Sequence, residues 1–135
     1  MPTKPETLNL LGEDEQHHII FTEISYLGHG TYDCDISIRS NGFACEKDFA
    51  FDNDEYFLAK LKEVCTNQTG EAELTDLQSD NYLKIQAFGA DTLLVTGLIL
   101  EEQPYTQALE FAFTTQYPMI ERFLSEFTRV IRATH

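Results

Sequence analysis

Four carboxylates in two neighbouring stretches are the residues whose type and spacing most invite chemistry: Asp33 and Asp35 in residues 32–39, Glu46 and Asp48 in residues 43–51. Members of each pair sit two apart, so on an extended chain each pair shares a face. If the two stretches are adjacent strands, all four side chains converge on one surface. Such a surface has three uses. It can be a solvated sheet face, a docking surface for a basic partner, or a hard-cation site, because Mg²⁺ and Ca²⁺ take oxygen ligands. The loop of an EF-hand is absent. Asp33, Asp35, Glu46 and Asp48 are therefore the partner-binding candidates, with no metal ligand and no cofactor assigned.

Other chemistry finds little support. The sequence has no glycine-rich phosphate loop, nucleophile elbow, HExxH or paired CxxC. Gly28-His29-Gly30 is short enough to be a turn. His17 and His18 are adjacent at a strand start, so their side chains point to opposite faces and do not chelate together. Cys34, Cys45 and Cys65 are an odd count at no metal-ligand spacing. They read as reduced thiols packed as small hydrophobes in a cytoplasmic protein. No catalytic residue is assigned, and the expected function is a non-catalytic protein-binding module. Two alternatives stay open: a metal-dependent enzyme using the acidic cluster, and a structural or regulatory homodimer formed through a sheet edge or exposed apolar surface.

Charge narrows the partner. With 23 acidic and 9 basic residues the formal net charge is −14, and the pI is near 4.4. Nucleic acid and anionic membranes are bound through clustered Lys and Arg, so neither is expected here. A basic protein, such as a toxin domain, would be steered toward this field. The length of 135 residues suits one domain, and 42% apolar residues with ten Phe and six Tyr supply a core. No run approaches the ~18 apolar residues of a membrane span. Residues 1–16 read as an N-terminal tail, ordered at most around Leu8, Leu10 and Leu11, and not as a secretory signal. Residues 17–135 then form the domain, as a monomer or homodimer.

The elements that position the carboxylates follow from periodicity. Ile20, Ile24 and Tyr26 alternate on one strand face, with Thr22 between. The next strand alternates Tyr32, Cys34, Ile36 and Ile38 against Asp33, Asp35, Ser37 and Arg39. Asn41-Gly42 tolerates the positive φ of a two-residue hairpin turn. That turn sets Ile38 against Cys45, Cys34 against Phe49, Tyr32 against Phe51 and Asp35 against Asp48. Its one mismatch places Lys47 against Ile36 on the core side. Asp52-Asn53-Asp54-Glu55 starts a helix, with Phe57, Leu58, Leu61, Val64 and Cys65 as its apolar stripe. Strands are expected at 71–77, 82–88, 92–101 and 108–113. A last helix, capped by Thr114 or Thr115 with Pro118 in its first turn, buries Met119, Ile120, Phe123, Phe127, Val130 and Ile131.

Side by side, the halves repeat. Phe49-Ala50-Phe51 and Phe111-Ala112-Phe113 lie sixty-two residues apart, and the same offset matches Phe57 with Met119, Leu58 with Ile120, Leu61 with Phe123 and Cys65 with Phe127. The expected fold is α+β: a largely antiparallel sheet of six or seven strands with two helices on one face. It carries an internal βββα duplication over about 17–67 and 70–135.

Residues 49–130 also resemble small bacterial immunity-type proteins of the WapI family and related uncharacterised families. The resemblance rests on Phe49, Phe51, Phe57, Leu58 and Leu61, on Gly70-Glu71-Ala72-Glu73-Leu74, and on the strand pair 82–88 and 92–100. It continues through Leu109-Glu110-Phe111-Ala112-Phe113-Thr114-Thr115-Gln116 into the closing helix. Thr115-Gln116 stands where the family pattern has an Asp-Gln pair. The resemblance implies an α+β fold and neutralisation of a toxin by direct binding in the bacterial cytoplasm.

Overall fold

The Asn41-Gly42 turn organises the first half of the chain. Both residues take positive φ, 53° and 84°, as a type I′ hairpin requires. In the computed structural model, which describes residues 7–14, 16–101 and 107–135, this turn joins β3 (Thr31–Ser40) to β4 (Phe43–Phe51). The register follows the expected pairs, including Ile38 with Cys45, Cys34 with Phe49, Tyr32 with Phe51 and Asp35 with Asp48. The mismatched Lys47 is resolved by a long-range partner. Its ammonium lies 2.7 Å from the Glu101 carboxylate, across from the next sheet.

β2 (His18–Gly28) pairs antiparallel with β3, and β1 (Leu8–Leu11) pairs with β2. The leucines of the stretch read as a tail thus supply a strand, and Leu8 and Leu10 are fully buried. Residues 1–6 of that stretch lie outside the described residues. One face assignment is corrected. Pairing is irregular between Thr22 and Ser25, so the buried set runs Ile19, Phe21 and then Ile24. Ile20 stands on the outer face opposite Ser37, because a bulge inserts one extra residue and switches the parity of the strand.

After α1 (Asp54–Asn67), β5 (Glu71–Thr75), β6 (Tyr82–Ala87), β7 (Thr92–Glu101) and β8 (Gln107–Gln116) form an antiparallel sheet, and α2 (Tyr117–Thr134) closes the chain. The single sheet of six or seven strands is therefore corrected to two sheets of four, in orders β1-β2-β3-β4 and β5-β6-β7-β8. β5 does not extend the first sheet. At Ala50, the place a neighbouring strand would take on β4 is held by the Asp76 carboxylate and the Leu77 N–H. Each half reads four strands and a helix, one strand more per half than the expected repeat.

The helices do not lie side by side on one sheet face. α1 packs on β5 and β6, and α2 on β1, β2 and β8, so each helix braces the sheet of the other half. Phe127 ties the two together, its ring centroid 5.6 to 6.2 Å from those of Phe21, Phe51, Phe57 and Phe123. Phe57, Leu61 and Val64 are buried on α1 and Ile120, Phe123, Phe127 and Val130 on α2. These helices align one residue beyond the offset of sixty-two, matching Phe57 with Ile120 and Val64 with Phe127. Neither expected threonine caps α2. Thr114 and Thr115 belong to β8, Gln116 is the N-cap, and the Thr115 hydroxyl donates to the Leu11 carbonyl at 2.7 Å.

Candidate functional site

The outer face of the first sheet is built row by row from its register. Thr22, Asp35 and Asp48 form one row, Ile20, Ser37 and Glu46 the next, and Ser25, Asp33 and Ala50 the row on the other side. β3 and β4 present these residues because their alternate positions, Tyr32, Cys34, Ile36, Ile38, Phe49 and Phe51, are buried in the core. All four expected site residues thus lie on one solvent face. Asp35 and Asp48 are direct cross-strand neighbours, and Asp33 and Glu46 flank them along the strands.

The electrostatics of this row are unfavourable. The Asp35 carboxyl is raised above its ordinary value, first by a hydrogen bond shared with Asp48, then by desolvation, and then by the charges of Asp48, Glu23 and Asp33. Among the described residues, the ion pairs are His17–Asp14, Lys47–Glu101, Lys60–Glu63 and Lys84–Glu71, so none neutralises Asp33, Asp35, Glu46 or Asp48. The Ser25 hydroxyl donates to Asp33, a neutral contact that orients the carboxylate without discharging it.

Glu23 belongs to this site and was not recognised in the sequence. It sits in the β2 bulge at φ 53°, a left-handed conformation that costs a residue with a Cβ roughly 1–2 kcal/mol. The bulge places its charge close enough to raise Asp35. A signal existed: apolar residues at 19 and 21, then at 24 and 26, change parity around position 23. Glu23, Ser25, Asp33, Asp35, Asp48 and Gln78 line a depression of about 410 Å³. Asp35, Ser37, Glu46, Lys47, Asp48 and Glu101 line a second of about 420 Å³.

The remaining candidates take structural places. Cys34 is buried, its thiol donating to the Phe49 carbonyl at 3.5 Å, and burial pushes it up to about 12. Burial, aided by Glu121, likewise lifts Cys65 to about 11. All three cysteines are free thiols. The His17 ring stacks on Phe113 at 5.5 Å and shares a 2.9 Å hydrogen bond with Ser40. Among the described residues no three His, Cys, Asp or Glu side chains converge as a metal site, and no helix is long and apolar enough to cross a membrane.

No family model and no curated protein matches the chain. A solved structure described as that of the plant transcriptional regulator PBF-2 is similar to it, with a TM-score of 0.53 and 8% identity over 97% of this chain and 82% of that one. At this identity the likeness is one of fold.

Proposed function

We propose that this protein is a non-catalytic binding module whose acidic sheet face docks a basic protein. The observation that carries this reading is the Asp35–Asp48 row: two like charges set directly opposite each other on a paired sheet, with no ion pair to either among the described residues. Like charges in such positions destabilise a sheet, and a cationic partner removes that penalty on binding. The bulge that adds Glu23 to the same field at the expense of backbone strain supports the same reading. In keeping with the resemblance to immunity-type proteins, the basic partner is a toxin domain neutralised by direct binding in the bacterial cytoplasm.

The fold shared with PBF-2 does not carry that protein's role across, since one fold hosts many functions. A net charge of −14 disfavours contact with phosphate backbones, which need clustered Lys and Arg. The reading is tested by titrating the protein against purified basic domains at low salt and at about 0.15 M, where the Debye length is about 8 Å. Binding should weaken with salt and fall in Asp35→Lys, mainly through the association rate. Equal affinity of wild type and Asp35→Lys at low salt would leave the acidic face merely solvated.

A further inference from the structure

The outer edge of β4 is a strand edge between two depressions that share Glu46, Lys47 and Glu101 and differ in the rest of their lining. On one side lies the acidic depression of Asp35, Glu46 and Asp48. On the other, a depression of about 460 Å³ is lined by Phe43, Cys45, Ile99, Ala108 and Leu109, with Phe43 67% exposed. Among the described residues, the strand between them pairs with β3 alone. Its pairing with β3 starts at Ser40–Phe43. In an antiparallel ladder closed by a two-residue turn, Phe43, Cys45 and Lys47 then point their N–H and C=O groups toward β3. Ala44, Glu46, Asp48 and Ala50 point theirs outward. Ala50 demonstrates the direction: its N–H donates to Asp76 at 3.3 Å and its carbonyl accepts from the Leu77 N–H at 2.8 Å. The chain thus uses the last step of this edge itself, and no described backbone pairs with the three steps before it.

We infer that this edge receives an extended segment of the basic partner as an added antiparallel strand, with cationic side chains over Glu46 and Asp48 and apolar ones toward Phe43, Cys45 and Leu109. The alternation follows from geometry. A residue directly opposite Glu46 or Asp48 puts its side chain on the same, acidic face, and its neighbours point to the apolar side. Charge disfavours a second copy of this chain as the occupant. A β4–β4 pairing about a two-fold axis would set Glu46 and Asp48 against like charges, which destabilises an antiparallel pair. The inference rests on the proposed binding role of the acidic face and adds the class of segment and its mode of attachment.

The probe is a capped hexapeptide alternating Lys and Val, titrated by calorimetry into the full chain at low salt. Three controls accompany it: an isomer with the lysines and valines in blocks, and alternating peptides N-methylated either at every lysine or at every valine. Lysine backbone N–H groups face β4 in the inferred pairing, and valine N–H groups face away. The alternating peptide should bind about tenfold or more tighter than the block isomer, roughly 1.4 kcal/mol. Lysine methylation should abolish binding and valine methylation should spare it. Ala44→Pro removes one outward N–H without changing charge, at an edge position where proline is tolerated, and should abolish the preference for the alternating peptide. If Ala44→Pro unfolds, the methylated pair decides alone. Equal binding of the alternating and block peptides, or equal loss from both methylation patterns, overturns strand addition. If Asp35→Lys still weakens both peptides in that case, the acidic docking face stands without it. If no peptide binds and Asp35→Lys changes nothing, both readings fall and the carboxylates serve only to keep this edge from pairing with itself.

Discussion

The two sheets have the same strand count and an equivalent order, yet charge is arranged differently on their outer faces. On the first, Asp35 meets Asp48 and no described cation answers. On the second, Lys84 stands opposite Glu73 and 3.3 Å from Glu71, and the rows beyond carry Leu94, Thr96, Leu98 and Ala112 with one acid, Glu110, opposite Leu98. The second face is arranged as a sheet favours, with opposite charges across strands and, among the described residues, no like-charged pair directly opposite. The first is arranged against that preference. Both sheets share one core, so the difference is confined to their outer faces, and the proposed function assigns it to what the first face meets outside the molecule.

The largest expected effect strikes both faces at once. Phe127 touches four aromatic rings drawn from both halves, so Phe127→Ala should cost about 3–5 kcal/mol, read as a lowered denaturation midpoint with loss of probe binding in proportion to unfolding. A smaller change separates the sheets. Gly97 of β7 packs under Phe111, and an added Cβ would lie 2.3 Å from the Phe111 Cζ and 2.6 Å from the Tyr82 carbonyl oxygen. Gly97→Ala should therefore cost about 1–3 kcal/mol, whereas Ser37→Ala, at an outer position of the first sheet, should stay within about 0.5 kcal/mol.

Charge reversal sharpens the contrast further. Asp35→Lys sets an opposite charge beside Asp48 and should raise stability by at most roughly 0.2–1 kcal/mol given its exposure, read as a higher melting temperature. Lys84→Asp on the other sheet adds a like charge beside Glu71 and Glu73 and should lower it by a similar amount. Equal signs for the two would erase the distinction between the faces.

The smallest effect is a pH dependence. Asp35 binds its proton more tightly folded than unfolded, so the folded state holds more protons in the window above 3.8. Stability contributed by that proton is fully present below the unfolded value and is lost as pH rises through the raised folded value. Asp35→Asn cannot lose it. Its melting temperature should exceed that of wild type at neutral pH, and the gap should close on acidification below the unfolded value.

Much of the candidate site was legible in the sequence because it depends on neighbours close along the chain. The Asn41-Gly42 turn sets the β3–β4 register, and the register sets which carboxylates meet. Glu23 was harder to find because a bulge appears only as a change of parity among apolar residues, which Ile20 obscures. The acids' relation to Glu101 was not legible at all. It depends on Lys47 reaching across from one sheet to the end of another, and no local pattern encodes that distance.

By itself the sequence determined the hairpin and its register, the amphipathic stripes of both helices, the acidic field and the side of β3 and β4 on which the four carboxylates stand. Each follows from local dihedral preference or from a period of 2 or 3.6. Only the tertiary structure decided that the strands divide into two sheets, that Leu8–Leu11 completes the first, that Thr115 ties β8 to Leu11 instead of capping a helix, and that the outer edge of β4 is engaged at Ala50. Those outcomes rest on contacts between residues far apart in the chain, where packing of the shared core selects among pairings that local preferences leave equal.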